Sequence, residues 1–449
     1  MQHNTYWAFL FFAGLSFFSF SQETLTKEAA IAFMLENNFG IQQANNNMAI
    51  AENNKSVLNA DYLPSITGNA GASYDQTDTT TDFNGALDDQ GNPRPDIVIN
   101  DAETRRYNAS IDLDYTLFDG FGRKYNYKTL KEQYNLSQLD ARETIESTTV
   151  QLLSVYYEVA RLRENVTVLE TALQISKDRE LRASYKFDYG QANKLEVLNA
   201  QVDITTDSIN LLNTQVQLRN AKRDLNVVMN EALEKKYEVD TTIAFISPLL
   251  VESFLEKVDA NNVSILQAEQ NLLISDYQIK TARSLLLPTV GLTGSYGWNR
   301  NENPASAFFP GTTAKSNSLT LGANLRWNLF DGGTAITAVK NAKIFYKNQE
   351  LLKEQMKQQV YRDIANAKDN YYNTLAIYKM QTQNVTTNQD NFERSQERLK
   401  LGQITTVEFR QAQLNLLNAQ TNLNAAKYQA KLAEAQILQL SGQLLNVDY

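Results

Sequence analysis

Two short stretches hold the residues best placed to do chemistry in this chain: Thr405-x-x-Glu408 and Asn193-x-x-Glu196. Each lies just beyond a glycine-glutamine pair, Gly402-Gln403 and Gly190-Gln191. A carboxylate three residues after a hydroxyl or amide can satisfy the free N–H groups at a helix start, which is the pattern of a capping box. Other chemistry has little to work with. The sequence contains no cysteine and a single histidine, His3. Past the first few residues there is therefore no Ser-His-Asp or Cys-His nucleophile and no metal site built on His or Cys. The 51 acidic residues leave carboxylate chemistry open, but acidic side chains on helices usually form a solvated face. No enzyme activity, metal or cofactor is expected. The acidic run from Asp82 to Asp101 lacks the regular spacing of a Ca²⁺ loop and reads as a solvated surface loop.

The elements that must position these residues are written twice. Leu117-Phe118-Asp119-Gly120 returns as Leu329-Phe330-Asp331-Gly332, and Tyr189-Gly190-Gln191 as Leu401-Gly402-Gln403, at one offset of 212 residues. In that register Lys128, Lys131 and Tyr134 match Lys340, Lys343 and Tyr346, while Glu196, Ala200 and Gln201 match Glu408, Ala412 and Gln413. Tyr62-Leu63-Pro64 matches Leu286-Leu287-Pro288 at an offset of 224, so a 12-residue difference falls between the proline and the Asp-Gly pair.

Inside that variable segment the pattern has a period of two. Leu319, Leu321, Ala323, Leu325, Trp327 and Leu329 alternate with Thr320, Gly322, Asn324, Arg326 and Asn328. Ile111, Leu113, Tyr115 and Leu117 alternate with Asp112, Asp114 and Thr116, and the same holds around Val290 to Trp298 and, more weakly, Ile66 to Tyr74. Four strands of 10 to 13 residues are predicted, long enough for tilted membrane strands, which need ~9–11. A pair of soluble hairpins lying on the helices fits the alternation as well. Four strands cannot close a barrel when the smallest use ~8, so membrane insertion requires several chains to pool their strands. Trp298 and Trp327 read either as interfacial belt anchors or as lipid-facing bulk.

The remaining segments are helical. The stretch from Thr26 ends at Leu63, before Pro64. From Gly120 to Tyr189 there is no proline for 70 residues, or about 105 Å of helix. In the second copy Val360, Ile364, Ala367, Tyr371, Leu375 and Tyr378 follow the three-and-four spacing of a packed helix. Tyr371, Tyr372 and Tyr378 there read as wall packing. Gly190 and Gly402 end the long helices, and shorter ones return. The first repeat, 22–247, is thus predicted as a helix, a β-hairpin over 65–118, a long helix over 120–189, a return helix over 193–230 and a linker over 231–247. The second, 248–449, has a helix, a hairpin over 289–330, a long helix over 332–401 and a return helix over 405–441. Two short helices end to end match one long helix, as the wall of a tube about 100 Å tall requires.

Residues 1–21 carry no charged side chain, and Ala8 to Phe20 is apolar and ends in Ser19-Phe20-Ser21. They read as a secretory signal cut before Gln22. With no cysteine, no lipid anchor can be attached through one. The mean hydropathy of −0.42 and the lack of a long apolar run leave strands as the only route into a membrane. A formal charge of −9 without any basic patch argues against nucleic acid as a partner.

The duplication, the Leu-Phe-Asp-Gly junctions, the Gly-Gln turns and Val197-Leu198-Asn199-Ala200-Gln201, in this order and spacing, resemble the TolC family of outer-membrane efflux proteins over essentially the whole chain after the signal. The resemblance implies a mainly α fold with a membrane β-barrel part. Long antiparallel helices would form a periplasmic α-barrel, and four strands per chain would enter a shared barrel in a homotrimer set in outer-membrane lipid. It implies an exit duct, opened at its periplasmic tip by a periplasmic adaptor that joins it to an inner-membrane pump. By the same resemblance the adaptor contacts the tip turns at Lys186, Gly190, Gln191, Arg398, Gly402 and Gln403. Arg398 to Gly402 fits the family's Arg-x-x-x-Gly pattern, whereas Lys186 before Gly190 keeps the charge and loses the bidentate fork. Family pores narrow at acidic residues six and nine positions after the second tip glycine. Those positions are Glu408 and Gln411 here, with Glu196 and Asn199 equivalent in the first repeat, so one acidic ring is missing. Glu408 then reads both as a helix cap and as a pore-lining charge. A soluble periplasmic scaffold or adaptor-like binding protein is the alternative reading.

Overall fold

The computed structural model describes residues 24–306 and 309–446; the expected signal, 1–21, lies outside them. The chain opens with β1 (Thr24–Leu25), α1 (Lys27–Asn37) and α2 (Phe39–Asn54), followed by β2 (Ser65–Thr81) and β3 (Ile97–Asp119). Next come α3 (Gly122–Asp188), α4 (Lys194–Met229), β4 (Glu238–Val239), α5 (Pro248–Leu255), α6 (Val258–Asn261) and α7 (Val263–Ser284). The second half ends with β5 (Thr289–Asn303), β6 (Thr312–Arg326), α8 (Thr334–Lys400) and α9 (Thr406–Leu440). Among the described residues no helix is long and apolar enough to cross a membrane. The chain divides into two compact units, one of residues 47–138 and 267–355, the other of the remainder.

The first of these holds a four-stranded antiparallel sheet in the order β2-β3-β5-β6. At 15 to 23 residues the strands are longer than the predicted 10 to 13. The excess in β3 lies where it pairs with β2 alone, since its ladder with β5 starts only at Arg105. Residues 97–101 of that stretch fall in the run that reads from sequence as a surface loop, because three adjacent apolar residues, Ile97, Val98 and Ile99, followed by mostly polar ones show no period of two. At its far end β6 stops at Arg326, short of the predicted Phe330, and Trp327 Nε1 donates instead to the Leu286 carbonyl at 3.2 Å.

Each Leu-Phe-Asp-Gly motif is a strand-to-helix junction. Asp119 Oδ2 accepts from the Arg123 backbone N–H at 2.7 Å, and Asp331 accepts from Gly333 and Ala335 N–H at 3.0 and 2.8 Å, so each aspartate caps the long helix that follows. Gly120 has φ +68°, and a Cβ there would meet the Ser284 carbonyl oxygen at 2.6 Å. Only glycine fits.

The other unit is helical. Its core gathers Leu152, Leu153, Tyr156 and Tyr157 of α3 with Leu225 and Met229 of α4 and Leu438 of α9. The predicted first helix is broken here. Asn38 leaves helical geometry, its Oδ1 accepts from Gly40 and Ile41 N–H at 2.8 and 3.2 Å, and its Nδ2 donates to Val228 O at 2.8 Å. An asparagine that can cap the next helix and reach a neighbouring one outweighs continuation.

The segment after β4 crosses α3 and α9 without forming an element, and its backbone groups are met by side chains. Lys427 Nζ donates to Thr241 O at 2.9 Å, Lys431 Nζ to Ala244 O at 2.7 Å, and Ile246 N–H donates to Glu434 Oε2 at 3.0 Å. Lys431 and Glu434 also pair with each other at 2% and 1% exposure. Removing one member strands a buried charge. Lys431→Met is therefore expected to destabilise this unit by about 3–5 kcal/mol, and Lys431→Met with Glu434→Leu by less. Thermal unfolding followed by circular dichroism reads the difference, and equal losses for the single and the double variant would refute it.

Candidate functional site

The two helix-end turns have the same backbone geometry. At the end of α3, Gly190 N–H donates to Phe187 O at 2.9 Å and Gln191 N–H to Lys186 O at 2.7 Å. At the end of α8, Gly402 N–H donates to Leu399 O at 3.1 Å and Gln403 N–H to Arg398 O at 2.9 Å. Both are Schellman motifs, and each glycine has φ +73° with no atom near a built Cβ. The glycines are thus required for the left-handed turn and not for close packing. Lys186, Gln191, Arg398 and Gln403 are all exposed around them.

The return helices start differently. Thr405 and Glu408 form a complete capping box: Glu408 N–H donates to Thr405 Oγ1 at 3.2 Å, and Thr405 N–H donates to Glu408 Oε2 at 2.7 Å. That backbone hydrogen bond, with a second from the Thr405 hydroxyl, holds the exposed Glu408 carboxyl below its ordinary range. Asn193 caps α4 through its Oδ1, which accepts from Glu196 N–H at 3.2 Å, and the Glu196 carboxylate does not take part. Asn199 is exposed. Gln411 is exposed too and donates to Asn415 Oδ1 at 2.8 Å along its own helix.

A cavity of about 390 Å³ opens between the α3–α4 and α8–α9 helix pairs, lined by Ile175, Arg182 and Lys186 of α3, Glu196 of α4, Leu399 of α8 and Phe409 of α9. A second, of about 260 Å³, is bordered by Glu196, Asn199 and Arg410. The structure therefore brings Lys186, Glu196 and Asn199 to these cavities, whereas Glu408 and Gln411 line neither.

Beneath them lies a buried ionic cluster. Arg410 of α9 makes a bidentate pair with Asp207 of α4, with Nη2 to Oδ1 at 2.7 Å and Nη1 to Oδ2 at 2.9 Å. Ser176 of α3 donates to the same carboxylate at 2.6 Å, and Arg179 pairs with Asp203, whose other oxygen lies 3.4 Å from Arg410 Nε. Burial pulls the Arg179 guanidinium below its ordinary value, against the opposing pull of Asp203. Gln413 completes the cluster, donating to Ala172 O at 2.9 Å. None of Ser176, Arg179, Asp203, Asp207 or Arg410 stands out in the sequence as a site residue. The signal was in the repeat register, where Arg410 replaces Leu198 and Asp207 faces Ala419 at the offset of 212.

A family model described as outer membrane efflux protein matches residues 31–231 and 254–443. The outer membrane efflux protein BepC of Brucella suis is 21% identical over 430 residues, which cover 94% of this chain and 86% of that one. The outer membrane protein TolC of Vibrio cholerae is 24% identical over 309 residues, 68% of this chain and 70% of that one. Among solved structures, the CmeC outer membrane channel of Campylobacter jejuni aligns with a TM-score of 0.73 at 18% identity, covering 93% of this chain and 86% of that one. At that identity the likeness is one of fold.

Two outcomes are expected at this site. Arg410→Met leaves the Asp207 carboxylate buried without its cation and costs about 3–5 kcal/mol, whereas adding Asp207→Leu recovers part of it; calorimetric unfolding that shows no recovery would count against an ionic latch. The lowered Glu408 carboxyl adds stability above the ordinary glutamate range, and that stability is lost as pH falls through the folded-state value. Glu408→Ala should remove this acid-side dependence, so unfolding midpoints of the two proteins must converge at low pH and separate at neutral pH.

Proposed function

The chain belongs to the outer membrane efflux protein family, and from that premise we propose that it is the outer-membrane exit duct of a tripartite export system. Members of this family are channels rather than enzymes. The observation that carries the reading is the sheet. One of its faces presents Ile66, Leu319, Leu321 and Leu325 at 67–75% exposure, which a soluble scaffold would have to cover. The opposite face is polar and internally bonded: the Asp112 carboxylate accepts from Asn69, Ser110 and Ser295 at 2.8, 2.8 and 2.6 Å. Lipid on one side and water on the other account for both.

Strands β2 and β6 are the two ends of the sheet, so each has an unpaired edge. In a bilayer those edges must be closed by other copies of the chain. A second open surface supports this. On α4, Leu195, Leu198, Val202, Ile209, Leu212 and Val216 are exposed at heptad spacing, the seam of a helix whose partner belongs to another chain. The number of copies, three, follows from the family resemblance.

In this reading the helical unit stands in the periplasm with the Gly190 and Gly402 turns as its tip. A periplasmic adaptor grips Lys186, Gly190, Gln191, Arg398, Gly402 and Gln403, and the cavity lined by Lys186 and Leu399 gives that adaptor a recess beside the turns. An inner-membrane pump supplies the energy. Glu196, Asn199, Glu408 and Gln411 form the constriction, with Glu408 the one charge that a capping box holds ionised.

In planar bilayers the assembled protein should show a small, cation-selective conductance. Replacing Glu408 and Glu196 with alanine should reduce the selectivity severalfold and enlarge the conductance. Unchanged selectivity would remove these residues from the constriction, and recovery of the protein in the soluble periplasm without detergent would overturn the duct itself.

A further inference from the structure

The outward face of the sheet ends in a row of cations. Across the strands in register, the apolar rows run from Val290 and Leu325 through Leu292 and Ala323, then Leu113 and Leu321, to Ile111, Tyr296 and Leu319, and a boundary row follows with Ala109, Trp298 and the polar Asn317. Val290 to Trp298 spans about 27 Å along the strand, or roughly 20 Å of height at the tilt of a barrel strand, which is most of an apolar band ~25 Å tall. The next row outward on the same face is Ala72, Tyr107, Arg300 and Lys315, and the one after it is Tyr74, Arg105, Glu302 and Thr313.

Arg300 and Lys315 are direct cross-strand partners. Like charges so placed repel, and neither is drawn apart by the fold. Arg300 lies over the Tyr107 ring at 6.0 Å and pairs with Glu302, which is one row farther from the apolar band. Arg105 lies over Tyr74 at 5.7 Å and pairs with Glu103 at 2.8 Å, again on the outer side. Lys315 makes no ion pair among the described residues. The first charged row beyond the aromatic side chains is therefore wholly cationic, and its carboxylate partners sit behind it.

We propose that Arg300 and Lys315, backed by Arg105, bind the phosphate group of a phosphorylated glycolipid, the lipid A of the outer leaflet, at the lipid-facing surface. This rests on the outer-membrane channel reading, which sets the hairpin loops outside the cell. An anion between the two cations relieves their repulsion, Tyr107 and Trp298 sit at headgroup level, and the apolar rows below receive the acyl chains. Lipid A supplies the phosphate and the chains together. Inorganic phosphate supplies only the first.

The full chain, purified in detergent, is titrated with lipid A while its thermal midpoint is followed. A saturable rise is expected with lipid A, with little or none from dephosphorylated lipid A or from inorganic phosphate at equal phosphorus concentration. Arg300→Gln with Lys315→Gln should raise the half-saturating lipid A concentration at least tenfold, and Lys315→Met alone severalfold, which keeps the test available if the double variant assembles poorly. Equal stabilisation by the dephosphorylated lipid, displacement by inorganic phosphate, or unchanged titration of Lys315→Met would each overturn the site. Bilayer conductance of the same variants separates the two proposals: a normal channel with no lipid effect refutes this site alone, whereas a native protein that forms no channel refutes the reading beneath it.

Discussion

The unpaired backbone edges of β2 and β6 are the constraint from which the rest of the architecture follows. In water an open edge is tolerable, because solvent satisfies its N–H and C=O groups. In hydrocarbon each unsatisfied group costs several kcal/mol, and a sheet whose exposed leucines demand lipid has no such relief. This chain places the apolar rows on one face and Asp112 with its three donors on the other. Set in a bilayer, as proposed, such a sheet needs a closed cylinder that four strands cannot make. In the proposed duct self-association follows from that sheet, and the exposed seam on α4 makes the same demand in helical form.

The duplication shows how one unit meets a requirement twice. A strand must hand over to a helix about 100 Å long without leaving the helix start bare, and in both copies the aspartate of Leu-Phe-Asp-Gly caps that start. A long helix must then reverse sharply, and in both copies a glycine with φ +73° allows it. The two motifs survive in each half because each solves a backbone problem that few residue types can solve.

That distinction also decides what could be read without a structure. Period two, period 3.6 and the glycine turns are local, so the four strands, the long helices and the turns that end them at Gly190 and Gly402 were legible. The break at Asn38 was hidden because its cause is partly remote: an asparagine that looks like any helix interior residue finds Val228 on a helix 190 residues away. The outer part of β3 was hidden for a different reason: Ile97, Val98 and Ile99 are consecutive and the residues after them are mostly polar, so this two-stranded ribbon shows no period of two. At the tip the capping box of Glu408 was legible from four residues, whereas the Arg410 and Asp207 pair, 203 residues apart, was not.

The ionic cluster bears on how such a duct can move. Arg410 joins α9 to α4 and, through Ser176, to α3, so helices of both repeats are tied together within one chain. Pulling α9 away from α4 would leave Asp207, at 1% exposure, buried without its bidentate cation, and the penalty for such a charge exceeds what a single surface contact can return. The α4 seam of Leu198, Val202 and Ile209 carries no comparable bond in the chain itself. Apolar surfaces slide and re-form with little directional penalty, whereas a bidentate pair has one geometry. In the proposed duct the tip helices of each chain therefore shift as a linked set, and the give lies at the seams between chains.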